Sequence, residues 1–326
     1  MSLFNQDNLK TMPLSERNHD LTYADIVNLT PHQINIETFY HVSKAIYEAR
    51  LKNASIILMM GAHVIRSGVQ RYIIDLMEKG FLSCISMNGA GLIHDYEFAL
   101  IGKTTESVER YIKNGQFGLW KETGRINDIV TEAADLNKGL GEHVGEIIEK
   151  EDFQFKDISI LAAGYRLNIP VTIHVSIGCD IVHEHPNCDG AAYGKTSYTD
   201  FLRFTHVLQN IEKGVVMNFG SAVMAPEVFL KSLSMVRNVA HSESNSISNF
   251  VTLVCDLHDI PDNYVEEPPK SNPFYYFRPW KTMLIRTVAD GGRSYYVKGK
   301  HDETIPQLWS AINKNISKEY QCVFIR

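Results

Sequence analysis

The chain has 326 residues, of which 44% are apolar and 21% are charged, and its formal net charge is −6. That length is enough to bury a full core, either as one large α/β domain with additions or as two domains. Basic residues are interspersed with acidic ones rather than gathered into a patch, so we expect no nucleic-acid partner.

Cysteine usage and the composition of the first residues favour a cytoplasmic protein. The cysteines are scattered, include no CxxC pair and are odd in number, which favours reduced thiols over a disulfide framework. The first 20 residues lack the apolar core of a signal peptide, and no apolar run approaches the roughly 20 residues of a membrane span. We therefore expect a cytoplasmic location and no membrane partner. The cysteines are Cys84, Cys179, Cys188, Cys255 and Cys322.

The chain opens with a polar segment, residues 1–30, which we expect to be an arm rather than a core element. Amphipathic helical stretches then alternate with short apolar runs, which predicts βαβ units. Residues 31–326 are therefore interpreted as a single doubly wound, Rossmann-like α/β domain with a mainly parallel sheet. Residues 259–280, rich in Pro, acidic and aromatic residues, are predicted to be a long loop or lid. The predicted strands are 55–64, 81–91, 169–178, 215–223 and 249–259, and the predicted helices include 37–53, 66–80, 157–168, 198–214, 226–241 and 302–320.

Candidate site residues follow the predicted strands, because ligands of an open parallel sheet bind beyond the carboxyl ends of its strands. Two turns hold small residues, at 89–91 and 220–222, so backbone N–H groups there could approach a phosphate or carboxylate. Neither turn is a GxGxxG, and tight packing is the alternative explanation. His63 and His94 also follow strand ends, where polar side chains face the crevice, whereas His174 lies within a strand and is interpreted as a core residue.

The stretch IGCDIVHEHPNCDGAAYG, residues 177–194, is rich in groups that bind metals or transfer protons. His183 and His185 alternate, so in an extended segment both would point toward one metal or one anionic group. The spacing matches neither a structural zinc pattern nor HExxH, and a solvated polar loop explains it equally well. We interpret both histidines, with Asp180, as candidate acid or base groups near neutral pH. A metal-assisted hydrolase or lyase built on this stretch is an alternative, for which Cys188 or Asp189 could add a ligand.

Three stretches resemble the text of one known family. Residues 55–102 resemble a pattern that reads strand, S-N-x-x-S-S-G, helix, strand, T-T-A-G-G-V-E-E-D. Residues 168–182 resemble N-I-P-V-F-S-P-A-L-T-D-G-S-L-G-D-M-I, and residues 214–233 resemble G-M-I-I-L-G-G-G-V-V-K-H-H-I. These stretches resemble the deoxyhypusine synthase family, and the similarity runs in order over roughly residues 37–310. The resemblance implies an NAD-type crevice in a homotetramer whose active sites lie at subunit interfaces.

The resemblance also implies which residues would contact NAD. The S-N pair of the family is replaced by Ala62 and His63, and the later T-A pair is matched by Asp256 and Leu257. The two glutamates of V-E-E-D become Ile93 and His94, so acidic groups that compensate a polyamine are reduced. The cofactor-binding residues implied in this way are His63, Ser67, Asn88, Gly89, Ala90, Gly220, Ser221 and Asp256.

The family forms an imine on a lysine of a W-G-K-I-R motif, and the nearest match here is Trp280 followed by Lys281, without the glycine. Lys281 is a candidate for that role if its amine is desolvated, and a surface lysine otherwise. We expect an NAD-dependent enzyme of the deoxyhypusine synthase type that transfers an aminoalkyl group from a small amine or polyamine and is not a true deoxyhypusine synthase. The catalytic candidates are His183, His185, Asp180, His94 and Lys281. A non-catalytic homologue that binds a small ligand is a further alternative.

Overall fold

The computed structural model describes residues 3–323, with side chains described for residues 3–315. Within that range, the centre of the molecule is a six-stranded sheet in which every neighbouring pair of strands is parallel. A separate two-stranded antiparallel sheet joins β1 to β4. The strands are β1 (Leu21–Thr22), β2 (Ile56–Met60), β3 (Cys84–Asn88), β4 (Lys103–Thr104), β5 (Val171–His174), β6 (Val215–Phe219), β7 (Val251–Asp256) and β8 (Arg293–Lys298).

The order of the large sheet is β5-β3-β2-β6-β7-β8. Counted along the chain, these are the third, second, first, fourth, fifth and sixth strands, which is the order of a doubly wound dinucleotide-binding sheet. The predicted α/β, Rossmann-like fold class with a mainly parallel sheet is therefore confirmed. The direction of winding reverses between β2 and β6, so the switch point lies at the carboxyl ends of these two strands.

Both faces of the sheet are buried. Alternate residues of β2 enter two different apolar clusters, with Ile56 and Leu58 in one and Ile57 and Met59 in the other. This division explains why β2 is an unbroken apolar run, since successive side chains of a strand point to opposite faces. The helices around the sheet are α1 (Thr38–Leu51), α2 (Ala62–Arg66), α3 (Gln70–Glu78), α4 (Gly89–Ile101), α5 (Val108–Ile112), α6 (Lys121–Asp135), α7 (Leu140–Lys150), α8 (Ile160–Leu167), α9 (Gly190–Leu208), α10 (Met224–Ser242) and α11 (His301–Val323).

All five predicted strands are present, but each is shorter than predicted. β3 ends at Asn88 because α4 begins at the next residue, with the Asn88 side chain accepting a hydrogen bond from the Gly91 N–H. The sixth strand, β8, was not predicted from the sequence. Its sequence RSYYVK has one buried residue, Val297, so it lacks the apolar run of an inner strand.

Three segments outside the sheet bear on the site. Residues 3–30 pack against the body of the protein and bury Leu14 and Arg17. Ile181–Glu184 is a 3-10 helix, so the extended geometry assumed for His183 and His185 is wrong. The predicted lid, 259–280, contains a 3-10 turn at Pro273–Tyr276 and leads into a π-helix at Pro279–Arg286.

The four cysteines with described side chains are free thiols: Cys84 and Cys255 are buried, Cys188 is half-buried and Cys179 is exposed. The side chain of Cys322 lies outside the described residues. Of the helices in the described range, none has the length and apolar character needed to cross a membrane.

Candidate functional site

A cavity of about 480 Å³ lies at the switch point, and the segments that follow β2, β3, β5 and β6 line it. A second cavity of about 300 Å³ shares part of its wall and extends to Arg17, Glu97 and Glu106. Both volumes lie at or near the lower end of the range typical of small-molecule sites. The shared wall consists of Arg66, Ala90, His94, Cys179 and Asp180.

A third cavity, of about 580 Å³, borders α7, α8 and α9 beside the amino end of β5. It is larger, yet it lies at the opposite end of β5 from the crevice in which doubly wound sheets bind ligands. We therefore place the candidate site in the two joined cavities, which are called the crevice below.

The structure brings most of the predicted cofactor-binding residues to the larger cavity of the crevice, but two of them do not line it. The Ser67 hydroxyl donates to the His63 carbonyl oxygen at 2.8 Å and so closes α2. The Asp256 carboxylate accepts from the Leu257 N–H at 2.7 Å. The predicted residues that line the cavity are His63, Asn88, Gly89, Ala90, Gly220 and Ser221.

The amino terminus of α4 is occupied by a side chain of the chain itself. Asp180 accepts a hydrogen bond from the Ala90 N–H, and a Cβ on Gly89 would overlap the Asp180 carboxylate. Gly89 thus allows the carboxylate to approach the helix closely. Burial raises the pKa of Asp180 to about 6, and the hydrogen bond from Ala90 opposes that rise.

The turn after β6 is held rigidly and leaves backbone donors free. Gly220 has a φ of 66°, which a residue with a side chain adopts at a cost, and the Ser221 N–H donates to Asn218 Oδ1 at 3.2 Å. Among the described residues, none accepts a hydrogen bond from the N–H of Ala222 or Val223. These two residues line the cavity just before α10 begins, so their donors are available to a ligand.

Several histidines surround the crevice and are held neutral. Burial lowers the pKa of His94 to about 4, although the nearby Glu97 raises it, and burial also lowers the pKa of His174 to about 4. Burial and then the charge of Arg66 lower the pKa of His63, whose Nε2 lies 3.2 Å from Arg66 Nη1. Neutral imidazoles can accept a proton, which protonated ones cannot.

His301 packs behind the Gly220 turn, and burial lowers its pKa as well; it was not among the residues predicted from the sequence. It is the first residue of α11, it is buried, and a Cβ on Gly220 would overlap its ring. Its Nδ1 has no hydrogen-bond partner among the described residues. The signal was present in the sequence, since His301 follows β8 as His63 follows β2, but β8 was not predicted as a strand.

His183 and His185 do not line the crevice. His183 Nδ1 accepts from the N–H groups of Gly178, at 3.2 Å, and of Asp180, at 3.1 Å. His185 is 2% exposed, and its Nε2 lies 2.8 Å from the Gly118 carbonyl oxygen. Both rings therefore hold the loop in shape, while Asp180 from the same stretch faces the cavity.

The described side chains include no group of three or more His, Cys, Asp or Glu residues that could hold a metal ion. The alternative of a metal site on residues 177–194 thus has no support from the geometry. Lys281 also lies outside the crevice walls: its Nζ is 3.6 Å from the centre of the Tyr275 ring and 3.9 Å from Glu267 Oε2. Lys281 is 5% exposed and so is not a surface lysine, but the segment around the π-helix buries it and it lines neither cavity of the crevice.

No protein family profile matches the chain, and no curated protein matches it. Several solved structures are similar to the chain. A conserved protein assigned to the LOR/SDH type from Methanococcus maripaludis S2 is 16% identical, with a TM-score of 0.50 over 88% of this chain and 72% of that one. Unliganded AgrE is 12% identical, with a TM-score of 0.53 over 87% of this chain and 34% of AgrE.

AgrE has also been solved in a ternary complex with ornithine and NAD+. A protein assigned as a deoxyhypusine synthase, from Entamoeba histolytica, is 10% identical over 86% of this chain and 89% of that one, with a TM-score of 0.40. The chain spans about a third of AgrE and most of the Methanococcus protein. The likenesses to the Methanococcus protein and to unliganded AgrE show the fold. They show neither the activity nor the cofactor of this chain.

Proposed function

We propose that the chain is a nicotinamide-dinucleotide-dependent enzyme that oxidises a small amine carrying a carboxylate group. The observation that supports this most is the pair of joined cavities at the switch point. One cavity offers backbone donors and the other combines a cation, a carboxylate and a neutral histidine. AgrE, which shares the fold, is known in complex with an amino acid and NAD+.

The turn after β6 fits the pyrophosphate of such a cofactor. The free N–H groups of Ala222 and Val223 precede α10, and donors at the start of a long helix favour an anion. In contrast, the amino terminus of α4 already holds the Asp180 carboxylate, so we assign no phosphate contact to it. When bound, the nicotinamide ring supplies a hydride acceptor.

The smaller cavity fits the two charges of the substrate. Within the described part of the chain, Arg66 has no carboxylate at ion-pair distance, so its guanidinium is available to a substrate carboxylate. Asp180 lies on the same wall and can bind an ammonium group. Oxidation at the carbon that bears the amine requires the ammonium to lose a proton first, and neutral His94 is placed to accept it.

Aminoalkyl transfer through an imine on Lys281 is not part of this proposal. The Lys281 ammonium packs on the Tyr275 ring and does not border either cavity of the crevice. A lysine nucleophile must reach the reacting carbon, so a different residue would have to perform that chemistry here.

Cofactor binding is tested with a matched pair of variants. Ala222→Asp places a carboxylate beside the proposed pyrophosphate position, and Ala191→Asp places one at the equally exposed start of α9. Titration calorimetry with NAD+ and NADP+ should show binding to the wild type, at least roughly tenfold weaker binding to Ala222→Asp, and a Kd within about twofold for Ala191→Asp. Absence of binding to the wild type at about millimolar dinucleotide would overturn the proposal.

The substrate class is tested by comparing amino acids with the corresponding amines that lack the carboxylate. The rate of cofactor reduction is measured from the absorbance of the reduced cofactor. It should be higher with the carboxylated compounds. Arg66→Gln should raise KM for them by about 10- to 100-fold, because a charged hydrogen bond is worth about 1.5–3 kcal/mol. The same variant should leave KM for the plain amines within about threefold; equal effects on both sets would exclude Arg66 as the carboxylate partner.

A further inference from the structure

We infer that Thr104 and Glu97, locked by Arg17, fix the tautomer of His94 so that its Nδ1 carries the hydrogen and its Nε2 is left as the proton acceptor in the crevice. The assignment of the tautomer follows from the hydrogen bonds and does not depend on the proposed function. The use of that acceptor in amine oxidation rests on the proposed function. Thr104 and Glu97 are positioning residues, since they act through His94.

Glu97 is surrounded by donors. Its carboxylate accepts from Arg17 Nη1 at 2.8 Å and Nη2 at 2.6 Å, from Thr123 Oγ1 at 2.6 Å and from Thr104 Oγ1 at 2.6 Å. Burial raises the pKa of Glu97, but Arg17 and the hydroxyl donors outweigh burial and hold that pKa below its ordinary value. An ionised carboxylate can only accept hydrogen bonds, so Thr104 must donate its hydroxyl hydrogen to Glu97.

The donation from Thr104 to Glu97 sets the direction of the hydrogen bond between Thr104 and His94. Thr104 has one hydroxyl hydrogen, which Glu97 uses, so its oxygen is the acceptor in the 2.8 Å contact with His94 Nδ1. Nδ1 therefore carries the hydrogen. Because the ring is neutral, Nε2 has a free lone pair. His94 lines both cavities, and Nε2 is the ring nitrogen left for a ligand.

The backbone holds Thr104 firmly in this position. Thr104 pairs with Leu21 in the two-stranded sheet, and the Asp20 N–H donates to the Thr105 carbonyl oxygen at 3.2 Å. Thr105 has a φ of 61°, a region that β-branched residues rarely adopt, and it is one of the residues that line the smaller cavity. Strained backbone of this kind persists where the surrounding structure fixes it, which is frequent at functional sites.

The tautomer can be read directly from long-range proton–nitrogen correlation spectra of the full chain labelled with ¹⁵N-histidine. His94→Gln identifies the signal. The wild type should show a neutral ring protonated at Nδ1, whereas Thr104→Val, which removes the acceptor, should move the hydrogen toward Nε2. Thr104→Ser keeps the hydroxyl group and should therefore give the same spectrum as the wild type.

Thr123→Val is the matched control. It also removes one hydroxyl donor from Glu97, but Thr123 is not bonded to His94. Its spectrum should retain the wild-type tautomer even if its stability falls as much as that of Thr104→Val. A wild-type ring protonated at Nε2, or a Thr104→Val spectrum identical to that of the wild type, would overturn the inference.

Turnover separates this inference from the proposed function. If the wild type oxidises no amine, the proposed function fails, and the spectra still decide the tautomer. If it does, Thr104→Val should lower kcat by about 100-fold, within the range of about 10²–10⁴ for a positioned base, with KM within about threefold. Equal losses of kcat in Thr104→Val and Thr123→Val would show a merely structural role.

The pH profile gives a further readout of the same variants. The groups that face His94 are Arg66 and His63 from α2, Arg17 from the N-terminal segment, Glu97 from α4, and Asp180 and Glu106 on the cavity wall. The alkaline limb should be shared by wild type and Thr104→Ser. The acid limb reports protonation of His94. It should shift in Thr104→Val, because the acceptor nitrogen of His94 and its surroundings change. An unchanged acid limb would argue against a role of Thr104 in fixing the tautomer.

Discussion

Asp180 is one of the residues in the wall that the two cavities of the crevice share. Its carboxylate borders both cavities and accepts a hydrogen bond at the amino terminus of α4. A helix amino terminus favours an anion, but the partial burial of Asp180 has the larger effect, since the pKa of the group is raised to about 6. The charge of this side chain is therefore sensitive to pH in a range where a carboxylate with its ordinary pKa is fully ionised.

Asp180→Asn should stabilise the protein above pH 6 and have little effect below pH 4. The pKa of about 6 exceeds the ordinary 3.8, so between these values the native state binds more protons than the unfolded state. Stability conferred by the protonated group is therefore complete below about pH 4 and is lost as the pH rises through about 6. The difference between the two pKa values corresponds to at most about 3 kcal/mol at pH 8.

Urea unfolding at pH 4, 6 and 8 measures this difference. Asp189→Asn is the control, because Asp189 also caps a helix but is exposed to solvent. Its effect on the free energy of unfolding should not grow between pH 4 and 8. A gap between Asp180→Asn and wild type that is the same at all three pH values would refute the assigned pKa.

Most of the site residues predicted from the sequence line the crevice, because one topological rule places them there. His63, Asn88 and Gly220 follow parallel strands, so their proximity needs no detailed geometry. His183 and His185 were chosen on a different argument, the alternation of side chains in an extended segment. That argument depends on local conformation, which a 3-10 helix changes and which the sequence pattern alone does not reveal.

The loop between β5 and α9 is held in shape by hydrogen bonds of its own histidines. The His185 ring packs against Gly124, where a side chain would leave no room for it. His185→Ala removes the hydrogen bond to the Gly118 carbonyl and leaves an empty space beside Gly124. We expect a loss of about 1–3 kcal/mol in the free energy of unfolding. Dinucleotide affinity should stay within about twofold of wild type, since His185 does not line the crevice.

Thermal unfolding and titration of the same preparations check the two halves of this prediction. His206→Ala, at an exposed position on α9, is the control and should change neither quantity. If His185→Ala abolished dinucleotide binding while unfolding like the wild type, His185 would have a direct role in the site and the structural assignment would fall.

Elements were predictable where burial imposes a simple pattern. The inner strands are apolar on both faces, so β2, β6 and β7 were readily recognised as strands. β8 lies at the edge of the sheet with mostly half-buried residues, so its pattern is weak, and missing it also hid His301. Strand ends were placed too late in the sequence because the small residues after β3 already belong to α4.

At the scale of the whole molecule, the N-terminal segment forms part of the crevice. Arg17 lines the smaller cavity, and its guanidinium makes a two-pronged ion pair with Glu97 in which both side chains are 1% exposed. Residues 1–30 were expected to be an arm because they are polar. The sequence could not show that one of these polar side chains is buried, because its partner lies 80 residues away.

Arg17→Met should destabilise the protein strongly, by about 3–5 kcal/mol, because it leaves the Glu97 carboxylate buried without its cation. Glu97→Gln added to Arg17→Met removes that stranded charge, so the double variant should be more stable than Arg17→Met alone. Arg125→Met is the comparison, since the Arg125–Glu151 pair is 43% and 40% exposed and such pairs contribute about 0–1 kcal/mol. Urea unfolding is measured for the wild type, Arg17→Met, Glu97→Gln, the double variant and Arg125→Met. The first four give the coupling energy between Arg17 of the N-terminal segment and Glu97 of the body. If Arg17→Met cost no more than Arg125→Met, the N-terminal segment would be a loosely held attachment, and the crevice wall that it provides would not be fixed.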